Sequence, residues 1–278
     1  MNALSYGLRF WGVRGTVATP AADRLRYGGN TICLAARLAE DEYLVLDGGT
    51  GLRHLGAAIR AERAGKPTTI HLLFSHYHFD HIEGLPLFMP LYDRNSRIIV
   101  RGCAPRRISL RDTLEQLIQP PWFPAALAGS PAALEYEEID GRPIAIRDVT
   151  VNTLPLNHPD GSIAFRLDHA GRRIVFATDH EHGDPKVDAA LTGFCEDADH
   201  LIYDATYIPS EYESLRRGWG HSTWYAAVAL ARASRLKNLV LFHHHPEHSD
   251  DELEKILALA RSEFPNTTLA REGDEIPL

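Results

Sequence analysis

A mixed α/β fold, with two packed sheets flanked by helices, is the class this sequence predicts. Short runs rich in apolar and β-forming residues recur in both halves of the chain, and segments with helical spacing lie in each half. The residues able to carry chemistry fall at the ends of the strand-like runs, so function is expected on loops along one edge of the scaffold. With 278 residues, 44% of them hydrophobic, the chain can bury a large core, and it shows no repeat, low-complexity tract or linker. A single domain over residues 1–278 is expected.

The elements follow in order. Leu8 to Val13, Ile32 to Leu38 and Tyr43 to Leu46 read as strands, separated by Gly, Pro or acidic residues. The run Asp47-Gly48-Gly49-Thr50-Gly51 then turns the chain into a helix from Leu52 to Glu62. Strands follow at Thr69 to Phe74 and Arg97 to Arg101. Ile108 to Ile118 has helical spacing and stops before Pro120-Pro121, because a residue preceding proline is pushed out of helical backbone. Over residues 104–141 the periodicity weakens, with Pro120, Pro121, Pro124 and Pro131 around Trp122 and Phe123. That stretch reads as an excursion from the core, either a lid over a pocket or a loop packing its aromatics on the surface. Strands resume at Ile146 to Leu156, Ser162 to Leu167, Arg173 to Ala177 and His200 to Tyr203. Two closing helices, Ser222 to Ser234 and Asp250 to Phe264, lie on either side of a strand from Leu239 to Phe242.

Composition excludes some functions. A net charge of −8 and a pI near 6.0, with no stripe of Lys and Arg, argue against duplex DNA or long RNA as a partner. The start, Met1 to Tyr6, has no basic segment leading into an apolar one, and no run approaches the ~20 apolar residues of a membrane span. A cytoplasmic address without membrane contact is expected. Cys33, Cys103 and Cys195 are odd in number, far apart and free of CxxC spacing, which suggests reduced thiols.

The fifteen histidines are the anomaly, because they cluster at 76/78/81, 180/182 and 243/244/245/248. In an extended chain residues two apart point the same way, so His76 and His78 can share one ion. If the chain turns into a helix just beyond, Asp80 and His81 can face a second. Imidazole with carboxylate suits zinc, manganese or iron, and the lack of a nearby thiolate argues against a closed structural zinc site.

The stretch Ser75-His76-Tyr77-His78-Phe79-Asp80-His81-Ile82-Glu83-Gly84 resembles the HxHxDH signature of the metallo-β-lactamase superfamily, and Asp47 to Gly51 resembles its earlier D-x-G-x-G turn. The resemblance runs over almost the whole chain and implies the four-layer αββα sandwich. It also implies the remaining ligands: His158 after a strand, Asp179 bridging two ions, and a histidine after the last core strand. His243 is taken for that last place, with His244 as the alternative. His180, His182 and His248 are expected in solvent or supporting roles. Two divalent ions are thus implied, zinc first, with manganese and iron also suited to these donors.

Two ions about 3.5–4 Å apart can hold hydroxide at neutral pH and neutralise charge growing on substrate oxygens, so hydrolysis is the expected reaction. Asp204-Ala205-Thr206 and Gly220-His221-Ser222-Thr223 look like the acidic-Ala-Thr and HST motifs of the phosphodiesterase branch, which includes tRNase Z and cyclic-phosphate phosphodiesterases. The resemblance implies that His221 stabilises or protonates the departing oxygen and that Asp204 orients it. Asp80 counts with this catalytic set as well as with the ligands. The bland reading makes Ser222 a helix cap and His221 incidental. tRNA 3′-processing ranks behind a small diester such as a cyclic nucleotide or cyclic phosphate, because only twenty residues separate His158 from Asp179, where tRNase Z usually carries a long arm. Phe10 to Thr16 and Arg26 to Thr31 also resemble bacterial members of this branch known only as metal-dependent hydrolases. The competing reading is hydrolysis of a carbonyl ester, lactone or thioester, on the same dinuclear site; an oxygen-handling relative and a non-catalytic binding protein rank lower. Superfamily relatives often dimerise, so a homodimer is compatible with the sequence.

Overall fold

The computed structural model describes residues 7–104 and 108–278; the reading of Met1 to Tyr6 lies outside them. Two compact units emerge. One takes the chain up to Gly12, Asn30–Asp140 and Glu272–Pro277; the other takes Val13–Gly29, Gly141–Arg271 and Leu278.

The first long stretch of chain forms β1 (Leu8–Gly12), β2 (Cys33–Ala39), β3 (Glu42–Leu46), α1 (Gly51–Arg63), β4 (Thr68–Leu73), α2 (Phe79–Ile82), β5 (Ser96–Gly102), α3 (Leu110–Leu117) and β6 (Ala133–Glu138). The remainder forms β7 (Ile144–Ile146), β8 (Val149–Leu156), β9 (Ser162–His169), β10 (Arg172–Ala177), α4 (Pro185–Phe194) and β11 (His200–Asp204). There follow α5 (Pro209–Glu211), α6 (Trp224–Ala233), β12 (Asn238–Phe242), α7 (Asp250–Glu263), β13 (Thr267–Leu269) and β14 (Glu275–Ile276).

Among the described residues each unit holds one seven-stranded sheet, ordered β14-β1-β2-β3-β4-β5-β6 in the first and β13-β12-β11-β10-β9-β8-β7 in the second. Both are mixed in the same way. In the first, β3 to β6 run parallel while β1 and β2 join antiparallel. In the second, β10 to β13 run parallel while β7, β8 and β9 form an antiparallel meander.

Helix α1 forms because Leu52, Leu55 and Ile59 recur on one face, and they pack with Ile70, Leu72 and Phe74 of the sheet. It stops where Ala64 turns left-handed (φ 49°) before Gly65 and Pro67. In the second unit Ala227, Val228 and Ala231 of α6 and Leu253, Ile256 and Leu257 of α7 pack with Leu239 and Leu241 of β12. Helix α7 opens on a capping box between Ser249 and Glu252. The other face of each sheet is buried as well, through Leu34, Leu44 and Leu46 in one and Phe165, Phe176 and Phe242 in the other. Burial on both faces is what the inner layers of an αββα sandwich require. The three cysteines are free thiols, and among the described residues no helix is long and apolar enough to cross a membrane.

Some elements depart from the sequence reading. The helix expected over Ile108 to Ile118 is α3, but its Leu110 and Leu114 lie in the first unit's core with Ile118 and Leu127, and the stretch read as an excursion also adds the edge strand β6, parallel to β5. Its period of two is short, Leu134 and Tyr136 alternating with Glu135 and Glu137, and those acids pair with Arg97 and Arg101 of β5. Only part of the stretch stays outside, notably the exposed Trp122. The strand expected from Ile146 to Leu156 is β8 from Val149 onward, and its first residues are the end of the short strand β7 and the turn that joins the two. Helix α4 was not foreseen, although Asp184 caps it by accepting from Lys186 and Val187 N–H, with Pro185 in its first turn.

Candidate metal centre

In both sheets the chemistry lies at the carboxyl ends of neighbouring parallel strands, where open α/β sheets place their ligands. Asp47 follows β3 and Ser75-His76 follow β4 in the first unit. Asp179 follows β10, Asp204 ends β11 and His243 follows β12 in the second.

The first cluster is built around Asp47. Its carboxylate accepts the Ser75 N–H on Oδ1 (2.8 Å) and the Ser75 hydroxyl on Oδ2 (2.8 Å). The His81 Nδ1–H also donates to Oδ2 (2.9 Å). The Ser75 oxygen, its one proton committed, takes the Nδ1–H of His76 at 3.1 Å. One buried carboxylate therefore fixes the tautomers of two histidines, making Nε2 of each the atom that could ligate a cation. His78 is extended and the chain then enters α2, which carries Asp80 and His81, so the condition set for those two residues is met. His76 sits 4.6 Å from His78 and 4.2 Å from His81 between ring centroids, and His81 Nε2 lies 3.5 Å from Asp80 Oδ2.

The second cluster repeats the design around Asp204, which is fully buried. Its Oδ2 accepts from His221 Nδ1 (2.8 Å); its Oδ1 accepts the Thr206 hydroxyl (2.7 Å) and N–H (3.0 Å). The Thr206 oxygen then takes the Nδ1–H of His243 at 2.8 Å. Burial alone would raise the Asp204 carboxyl, but the facing charge and hydrogen bond of His221 hold it below its ordinary value. Asp179 lies between two rings, its Oδ1 3.8 Å from His158 Nε2 and its Oδ2 3.4 Å from His243 Nε2. That is the arrangement of a carboxylate able to bridge. One ligand atom from each of Asp179, Asp204, His221 and His243 lies within 4.8 Å of the others.

The backbone is shaped for these side chains. Asp47, Asp179 and His243 all adopt left-handed conformations, with φ of 58°, 55° and 60°, at a cost on the order of 1 kcal/mol each. Gly15 packs against the His243 ring so closely that a Cβ would sit 2.2 Å from Nδ1. Gly220 does the same to His158 and also has φ +85°, while its carbonyl accepts from His158 Nδ1 at 2.8 Å. Strand ends are fixed from beneath by the edge-to-face pair Phe176–Phe242, 5.5 Å apart.

All seven ligand candidates thus fall into two clusters: His76, His78, Asp80 and His81 in the first unit; His158, Asp179 and His243 in the second, with His221 and Asp204. The donor set and oriented Nε2 atoms fit divalent cations of the zinc, manganese or iron kind. His244, the alternative, points elsewhere: its Nε2 meets the Ala270 carbonyl at 2.8 Å, and burial, with Arg14 nearby, depresses it to about 3. His180 is buried, accepting from Asn157 N–H and meeting Asp188, with its pKa lowered by burial. It lines a cavity of about 460 Å³ with His182, Leu191 and Tyr203. His248 contacts Glu211.

The bland reading of Ser222 as a cap needs correction. Thr223 caps α6 by accepting from Ala226 N–H, whereas the Ser222 hydroxyl donates to the His180 carbonyl at 2.6 Å. Thr206, Ser75 and Glu181 were missed as supporting residues. Glu181 accepts from the Gly218 and Gly220 N–H groups, pinning the loop that delivers His221. The fully buried Arg14 donates to the carbonyls of Gly28 and His248, which gives the N-terminal resemblance a structural role: it ties the segment bearing Gly15 to the loop after His243.

Residues 43–244 match the model of the β-lactamase superfamily domain. A ribonuclease Z of Bradyrhizobium diazoefficiens is 31% identical over 153 residues, 55% of this chain but only 45% of that protein. The chain therefore matches less than half the length of that relative. A ribonuclease Z of Aeropyrum pernix is 29% identical over 84% of this chain and 88% of its own. The metallo-β-lactamase fold protein YhfI of Bacillus subtilis superposes with a TM-score of 0.71 at 20% identity, covering 96% of each chain. This chain belongs to the β-lactamase superfamily, has the metallo-β-lactamase fold, and resembles the phosphodiesterase branch.

Proposed function

We propose that this protein is a metal-dependent phosphodiesterase acting on a small phosphodiester such as a cyclic nucleotide or cyclic phosphate. The observation that carries this reading is the Asp204–His221 pair: a fully buried carboxylate fixes Nδ1 of an imidazole 12% exposed, which turns Nε2 outward. A histidine so held can carry a proton on Nε2 and give it to a departing alkoxide, while Asp204 stabilises the imidazolium before transfer. Carbonyl esters with poor leaving groups need such an acid too; the HST likeness and the ribonuclease Z relatives are what favour phosphorus.

Assigning the seven ligands to one dinuclear centre follows the superfamily motif: His76, His78 and His158 for one ion, Asp80, His81 and His243 for the other, Asp179 for both. Divalent ions held there would acidify water and neutralise charge on phosphoryl oxygens. Short connections favour a small substrate, since β9 and β10 form a hairpin that fills the interval where tRNase Z carries its arm; within the phosphodiesterase branch tRNA processing ranks behind it. The three free thiols accord with a cytoplasmic setting.

The test is metal content of the purified protein, with hydrolysis of bis-p-nitrophenyl phosphate followed beside a lactone and a thioester, before and after chelation. About two ions per chain with chelation-sensitive diester cleavage are expected, and His221→Ala should cost more on a diester with an alkoxide leaving group than on the p-nitrophenyl ester, whose anion departs without a proton. Activity confined to carbonyl esters would sink the phosphodiester reading.

A further inference from the structure

We infer that Arg216 and Trp219 form a platform for a nucleobase, so that the substrate is a nucleotidyl diester; this rests on the phosphodiesterase reading. The Arg216 guanidinium lies 4.4 Å from the Trp219 ring centroid and 5.9 Å from that of Tyr207. Tyr207 in turn stands edge-on to His221, centroids 5.9 Å apart. A continuous chain of contacts between flat groups therefore runs from the acid to Trp219, which is 55% exposed.

Here the loop is pinned rather than loose. Glu181 accepts from the N–H groups on both sides of Trp219 and from the Tyr212 hydroxyl at 3.0 Å, and Arg217 lies over the Tyr212 ring at 5.5 Å. Among the described residues no carboxylate pairs with Arg216, whereas Arg26, Arg97, Arg101, Arg232 and Arg235 each pair with at least one. A preordered indole face beside a cation without an acid suits a ligand that is flat and anionic at once. Base stacking on such a surface is tolerant of sequence and adds to phosphate attraction.

The test compares thymidine 5′-p-nitrophenyl phosphate with ethyl p-nitrophenyl phosphate, which share a leaving group. The wild type should prefer the nucleoside ester in kcat/KM by about tenfold or more, mostly through KM. Trp219→Ala and Arg216→Gln should bring that ratio toward one, and Trp219→Phe should restore most of it. Equal rates on the two esters, or a ratio the substitutions do not move, would overturn the platform. Calorimetric binding of thymidine 5′-phosphate to the metal-loaded wild type and to Trp219→Ala keeps the two readings apart. Cleavage of neither ester sinks the phosphodiesterase reading, whereas nucleotide binding that ignores Trp219 sinks the platform alone.

Discussion

The hydroxyl of Thr206 lies 2.8 Å from Nδ1 of His243. Because that hydroxyl gives its only proton to Asp204, it must accept from His243, and the imidazole is held as the tautomer that coordinates through Nε2. Thr206→Val keeps the shape and removes the hydroxyl's contacts with Asp204, His243 Nδ1 and the His243 carbonyl. Metal affinity should fall about 10–100-fold, with Thr206→Ser near wild type; competition against a chelating dye reads it directly. Affinity unchanged in Thr206→Val would mean that His243 needs no such partner.

Asp204→Asn should separate catalysis from metal binding. The amide can present N–H rather than oxygen to His221, so the ring loses its enforced tautomer while Thr206 can still bond the other side. A kcat drop on the order of 10²–10⁴ with metal content retained is expected from steady-state kinetics and metal analysis. Loss of metal in step with activity would assign Asp204 a ligand role instead.

Gly220→Ala should displace His158. The added carbon would lie 2.2 Å from His158 Nδ1, at a φ of +85° that L residues avoid. Metal content is expected to fall with only modest loss of thermal stability, because Gly220 sits in a loop; Gly218→Ala, with nothing near its Cβ, serves as the comparison. Equal metal content in the two variants would be the wrong outcome for this account.

His71 gives a pH dependence away from the metal ligands. Burial, with the charge of Arg101, lowers its pKa despite the Glu42 carboxylate, and it stays neutral between Arg101 (Nη1 to Nδ1, 2.8 Å) and Glu42 (2.8 Å). A depressed folded pKa means its contribution is present above about 6.5, the unfolded value, and is lost as pH falls below it. The denaturant midpoint of metal-free protein should drop between pH 7.5 and 5.5, and His71→Gln should shrink the drop. An identical slope in the variant would remove His71 from the explanation.

The sequence by itself determined what is local. The period-two and helical runs placed most strands and helices to within a few residues, and Ser75 to Gly84 declared its chemistry because an extended HxH followed by one helical turn needs no distant partner. Asp179, His158 and His221 were legible only through motif order, since a lone acid or imidazole at a strand end has many uses. The tertiary structure decided what depends on contact between strands distant in sequence. It separated His243 from His244, because the left-handed turn after β12 sends one ring to Thr206 and the next to the Ala270 carbonyl. It also made Asp47 and Asp204 equivalent, each reaching one histidine directly and a second through a hydroxyl. No spacing rule joins residues 37 apart such as Thr206 and His243; parallel pairing of β11 with β12 does, and that register is set by a core buried on both faces.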